Sequence, residues 1–109
     1  MRNNVEKYNK TREKIDMSNI KKLRKKLNYN QTKLQHEVGV SESSIQAYEQ
    51  NVKIPSLVNA YNLADALNCS IDFIVGRNNE LENYYRLSKE NKNKVIQYVN
   101  ELYLEENEK

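Results

Sequence analysis

The stretch NQTKLQHEVGVSESSIQAYEQN, residues 30–51, decides the fold. Asn30 suits a helix N-cap, and Leu34 and Val38 lie one turn apart, so a short helix is predicted from Gln31 to Glu37. Gly39 follows where a helix end favours a left-handed residue. Ser41 then caps a second helix to about Gln50, with Ile45, Tyr48 and Glu49 on its inner side. Asn51 stands where that helix must stop. Leu34, Val38, Val40 and Ile45 are expected to pack the two helices together and fix the angle at which the second projects. Its outward face is Glu42, Ser43, Gln46, Ala47 and Gln50, with Ser44 partly turned out.

The pattern stays helical on both sides. Upstream, Ile20, Leu23 and Leu27 share one helix face from Ser18 onward, with Lys21, Lys22, Lys25 and Lys26 on the other. Asn28-Tyr29-Asn30 breaks that helix. Downstream, Ile54-Pro55-Ser56 is a boundary, because the residue before Pro avoids helix and Ser56 can cap. Leu57 to Leu67 carries Ala60, Tyr61, Ala64 and Leu67 at helical spacing. Ser70 caps a short helix holding Ile71, Phe73, Ile74 and Val75, and Gly76 ends it. Five helices thus fill residues 18–76. Residues 1–17 form a basic extension in which Val5, Tyr8 and Ile15 mark either a short helix or an arm that orders on binding. Residues 77–86 read as a linker. Within residues 87–109, Ser88 caps a longer helix to about Glu105, with a stripe of Val95, Val99 and Leu102 flanked by Ile96, Tyr98 and Tyr103. The expected class is all-α, a five-helix domain with an additional carboxy-terminal amphipathic helix. Most of the eight tyrosines fall on faces read as inward and are expected in the core.

Composition excludes several classes. With two Gly and one Pro there is little turn chemistry for a many-stranded sheet. The single cysteine, Cys69, excludes an intramolecular disulfide framework. His36 is the one histidine, on the outer side of its helix. Nothing resembles a catalytic triad, a metal-ligand cluster or a glycine-rich phosphate loop, so no enzyme, cofactor or metal is expected. No apolar run approaches the ~20 residues needed to cross a bilayer. Met1-Arg2-Asn3-Asn4 opens no signal-peptide core. A cytoplasmic protein without a membrane partner is the expectation.

Charge is uneven. The formal net charge is +3, yet residues 1–27 hold ten Lys/Arg against three acids. A basic stretch leading into a compact domain fits a polyanion partner, and it equally fits a solvated helix face or tail.

Residues 18–76 resemble the lambda-repressor-like, Xre-family helix-turn-helix domain. The resemblance rests on Ile20-Lys21-Lys22-Leu23-Arg24, Asn30-Gln31-Thr32-Lys33-Leu34, Val38-Gly39-Val40-Ser41, Ile45, Tyr48-Glu49, Pro55-Ser56-Leu57 and the run Ala66 to Gly76, in order and without a large gap. It implies a sequence-specific double-stranded-DNA-binding transcriptional regulator, a repressor acting on a pseudo-palindromic operator. Glu42, Ser43, Ser44, Gln46 and Ala47 take the family's base-reading positions. Their chemistry suits base edges: Gln for adenine, Glu for the cytosine amino group, Ser for either partner, Ala for a thymine methyl. Asn30, Gln31, Ser41, Gln50, Asn51 and Lys53 are the expected phosphate contacts, several beside helix N-termini. Arg24 and Glu49 resemble a family pair that orients the reading helix. Cys69 occupies a position of small apolar residues, which implies a buried structural thiol. Two residues depart from the family pattern: Gln35 where a small residue is usual, and Asn51 where Gly is usual, although Asn tolerates the left-handed region.

One such module reads few base pairs, so a homodimer with modules about 34 Å apart is expected. Leu87, Val95, Val99, Leu102 and Tyr103 are the expected dimer contacts, though the same stripe could instead pack on its own domain. The alternative function is an antitoxin or protein-interaction regulator that engages a protein antagonist through residues 81–109 and DNA secondarily. It predicts a carboxy-terminal segment disordered on its own.

Overall fold

The computed structural model describes residues 2–77 and 80–108. All regular structure among them is helical, in the order α1 (Arg2–Lys14), α2 (Ser18–Lys26), α3 (Gln31–Val38), α4 (Glu42–Glu49), α5 (Leu57–Leu67), α6 (Ile71–Ile74), a 3-10 helix (Glu82–Arg86) and α7 (Lys89–Asn107). The chain divides into two compact units between residues 79 and 80.

Local chemistry sets the helix limits. Asn30, Ser41, Ser56, Ser70 and Ser88 are each extended, and each side-chain oxygen accepts a hydrogen bond from the backbone N–H three residues on. Such a cap is worth about 1 kcal/mol. Gly39 ends α3 at φ +80°, and Asn28, Asn51 and Asn68 take left-handed turns at φ 50–60°. Asn is the side-chain-bearing residue that best tolerates this region.

The core of the first unit is built from one face of each helix from α2 to α6. It holds Ile20 and Leu23 of α2, Leu34 and Val38 of α3, Ile45 and Tyr48 of α4, Leu63, Ala64 and Leu67 of α5, and Ile74 of α6. Full burial of a large apolar side chain contributes roughly 1.5–3 kcal/mol, so this shared interior holds the helices in place. Cys69 is buried there, as the family resemblance implied.

Several residues differ from the sequence reading. Leu27, expected on the packed face of α2, is 37% exposed, because the helix has already ended at Lys26. Tyr61 is 67% exposed, and Leu63 takes the inner position instead. The buried stripe of α5 runs Ala60, Leu63, Ala64, Leu67, and Tyr61 lies beside it. Of the eight tyrosines, Tyr48 alone is buried among the described residues, with its hydroxyl accepting from Asn59 Nδ2 at 3.0 Å. Met17, which no periodicity singled out, is a core residue.

The basic extension forms α1, with Val5 and Tyr8 exposed. The segment after it is stitched to the domain. Asp16 N–H donates to Val75 O at 3.1 Å. Met17 N–H donates to Asn51 Oδ1 at 2.7 Å, and Asn51 Nδ2 donates to Asp16 Oδ1 at 3.1 Å.

In the second unit, the 3-10 helix occupies part of the expected linker. Residues 78 and 79 of that linker lie outside the described residues. Tyr84 and Tyr85 meet edge to face, and Lys92 of α7 lies over the Tyr84 ring.

Candidate nucleic-acid interface

The two short helices α3 and α4 meet through Leu34, Val38 and Ile45, all buried. Gly39 turns the chain between them. This packing leaves one face of α4 outward, with Glu42, Ser43 and Gln46 exposed, Ser44 and Ala47 half-buried, and Gln50 exposed at its C-terminal cap. All five residues expected to read bases therefore lie on one accessible helix, with Gln50 just past its end.

The inner edge of α4 is held by charge as well as packing. Arg24 Nε donates to Glu49 Oε2 at 2.7 Å and Nη2 donates to Oε1 at 3.0 Å, a two-pronged ion pair. Arg24 Nη1 also donates to the Tyr29 carbonyl at 3.0 Å. Arg24 and Glu49 are 8% and 9% exposed, so the pair is shielded from water. The Glu49 hydrogen bonds hold the Arg24 guanidinium above its ordinary value, against burial, which pulls the other way. A buried carboxylate and guanidinium so matched fix α4 on α2 in one orientation, since any rotation of α4 would leave both charges unpaired.

Around the N-terminus of α4 stand three hydroxyls. Ser41 Oγ accepts from Ser44 N–H at 3.2 Å and donates to Ser44 Oγ at 3.0 Å, with Ser43 Oγ also 3.0 Å away. With the positive end of the helix dipole, such a terminus attracts anions.

Of the other residues expected to touch phosphate, Gln50 and Lys53 are exposed. Asn30 is exposed, but its Oδ1 accepts from Lys33 N–H at 2.7 Å as the α3 cap. Asn51 has its amide engaged with Met17 and Asp16, so its structural work is to anchor the segment entering α2. Gln31 is half-buried and bridges inward and outward: Nε2 donates to Glu49 Oε1 at 3.2 Å, and Oε1 accepts from Gln46 Nε2 at 3.3 Å. This bridge had no signal in the sequence, since its members are 15 and 18 residues apart. Gln35, the departure from the family's small residue, is half-buried rather than excluded from the packing.

Positive charge is exposed on α2 rather than on α4. No Lys or Arg occurs in α4, while Lys21, Lys22, Lys25 and Lys26 are exposed on α2. His36 is exposed, and no group of acidic, His or Cys residues that could hold a metal ion exists among the described residues. No described helix is long and apolar enough to cross a membrane.

Two short helices at a tight turn, the second outward and polar, define the helix-turn-helix class. The helix-turn-helix family model matches residues 20–74, and the chain belongs to that family, in its lambda-repressor-like, Xre type. Among known proteins the chain is similar to the cryptic phage CTXphi transcriptional repressor RstR of Vibrio cholerae serotype O1. The two are 39% identical over 54 residues, which make up 50% of this chain and 48% of that protein. The chain thus spans about half the length of the curated relative it matches. No solved structure matches it.

Proposed function

We propose that this protein is a transcriptional regulator that binds specific duplex DNA by laying α4 in the major groove, and that it acts as a repressor. One observation carries the reading: α4 is polar and open on one side and clamped on the other by Ile45, Tyr48 and the Arg24–Glu49 pair. A reading helix needs both properties, donors and acceptors at the base edges and a backbone that does not rotate. Ser43, Gln46 and Glu42 supply base-edge chemistry, and the N-termini of α3 and α4 supply phosphate contacts. Similarity to a phage repressor supports the direction of regulation.

The regulator works as a homodimer joined through α7. In support, Val95, Val99, Leu102 and Tyr103 form an apolar stripe on α7 whose side chains are 36–64% exposed. The antitoxin reading draws on the same stripe, with a protein antagonist in place of a second copy. A capped α7 of 19 residues favours the dimer, since that alternative expects a segment without order of its own.

Selection from a randomised duplex library at moderate ionic strength tests the reading. The wild type should enrich a pseudo-palindrome, and the Ser43→Ala/Gln46→Ala double variant should lose that enrichment while melting at an unchanged temperature. No enrichment by the wild type would overturn it.

A further inference from the structure

We propose that the basic helix α1 is a second DNA-binding element, which holds the phosphates of the duplex flanking the base pairs read by α4, and that Asn51 is the residue that positions it. The inference rests on the DNA-reading function above and extends the contact surface beyond α4. Its basis is a row of lysines on α1 together with the way the chain leaves that helix.

Lys7, Lys10 and Lys14 follow one another at helical spacing, so they line one side of α1, and all three are exposed. Glu6 and Glu13 form a separate row beside them. At 1.5 Å per residue the lysine row is about 10 Å long. One DNA strand carries a phosphate about every 3.4 Å along the duplex axis, so the row matches about three phosphates. Ammonium groups on flexible stems hold phosphate as point charges and carry no planar pattern for base edges, which assigns the row to backbone.

On a loose tether these charges would take every direction. Here the tether is short and held. Ile15, Asp16 and Met17 alone join α1 to α2. Ile15 packs against the core and Met17 is buried in it. Asp16 N–H donates to the Val75 carbonyl at 3.1 Å, and Gly76 lies against the Asp16 carbonyl with no room for a Cβ. Asn51 holds the same segment twice: Oδ1 accepts from Met17 N–H at 2.7 Å, and Nδ2 donates to Asp16 Oδ1 at 3.1 Å. Asn51 directly follows Gln50, the C-terminal cap of α4. Lys14 stands two residues before Asp16, so its Cα is within about 8 Å of the Asp16 Cα. The carboxy-terminal end of α1 is thereby tied to the residue that ends the reading helix. Lys53, two residues past Asn51, adds an exposed cation to the same place.

The test uses two duplexes with the selected sequence, one ending at the outermost preferred base pairs and one extended on each side by about ten base pairs, a full turn. Wild type should bind the extended duplex more tightly, with a slope of log affinity against log salt steeper by about two to three units per chain. The Lys7→Gln/Lys10→Gln/Lys14→Gln variant should bind both duplexes alike, with base preference unchanged. Asn51→Gly keeps the left-handed turn, which Gly adopts readily, and removes both hydrogen bonds to the segment. It should lose most of the affinity gained from the flanks and match wild type on the short duplex. The lysine variant changes exposed side chains and leaves the held segment intact, so it tests the flank contact even where Asn51→Gly loses stability. Equal binding of wild type to both duplexes would overturn the proposal, as would a triple variant that keeps the flank gain. An Asn51→Gly variant with the full gain, or one weakened equally on both duplexes, would overturn the positioning role. These outcomes all presuppose a wild-type sequence preference, so they are distinct from failure of the DNA-reading function, in which the wild type discriminates nowhere.

Discussion

Gly39 and Gly76 share a left-handed backbone, at φ +80° and +78°, but differ in their surroundings. A Cβ on Gly39 would meet nothing within 4 Å, so Gly39→Ala costs the conformational penalty alone, about 1–2 kcal/mol. A Cβ on Gly76 would stand 2.6 Å from the Asp16 carbonyl oxygen. That segment is tied down by the Asp16 to Val75 hydrogen bond and by Asn51, so retreat would break contacts at the entry to α2. Gly76→Ala should therefore depress the melting temperature well beyond Gly39→Ala, and equal depressions would show that the segment yields. Asp16 adds a pH dependence. The Ser18 N–H first, and Asn51 Nδ2 after it, hold its carboxyl below the ordinary value of 3.8. A carboxyl depressed in the fold stabilises it above that value, and the benefit disappears as the pH falls through the lower folded value. Urea midpoints of wild type and Asp16→Asn should thus differ at pH 6 and converge toward pH 3. The site is exposed, so the difference will be small, and a gap that widens on acidification would contradict the assignment.

Helices α2 and α4 are coupled by the buried pair Arg24–Glu49, and the sign of that coupling can be measured. Replacing one partner leaves the other charge buried and alone, at a cost on the order of 3–5 kcal/mol. Arg24→Met and Glu49→Leu should each be severe, and the double variant should be less destabilised than the sum of the two. Additive losses in a denaturation cycle would mean that each side chain acts by packing alone. At this scale much was legible in the sequence. The capping residues Asn30, Ser41, Ser56, Ser70 and Ser88 sit beside apolar runs, and a cap is local chemistry, so five helix starts could be read directly. The outward face of α4 was legible for the same reason, from periodicity. What escaped depends on neighbours distant in the chain. Tyr61 borders an apolar stripe, and whether such an amphipathic ring turns in depends on what faces it. Met17 lies beyond the periodic run of α2 and is buried by elements that come later. The Gln31–Gln46 bridge and the anchoring of Met17 by Asn51 join residues whose spacing carries no signal.

For the whole molecule, the distribution of charge and the exposed α7 stripe make a joint prediction. Since α4 carries no cation, we assign the attraction to phosphate to Lys53, the basic face of α2 and α1. Each phosphate neutralised contributes about −0.9 to the slope of log affinity against log salt. Charge reversal at Lys21 and Lys25 should make that slope shallower and weaken binding to all sequences alike, leaving base preference intact. The α7 stripe acts differently, because a dimer affects how two half-sites are engaged together. Leu102→Asp, at a site 43% exposed, should leave the first unit folded and its half-site preference unchanged. It should abolish sedimentation as a dimer and lower affinity for the full operator, with the loss recovered in part as protein concentration rises. If the wild type sediments as a monomer at high concentration, α7 is not a dimer element, and binding to the full operator should then match binding to an isolated half-site. Salt slope and mass thus separate the two proposed contributions to affinity: neutralisation of phosphate by Lys21 and Lys25, and pairing of two copies through α7.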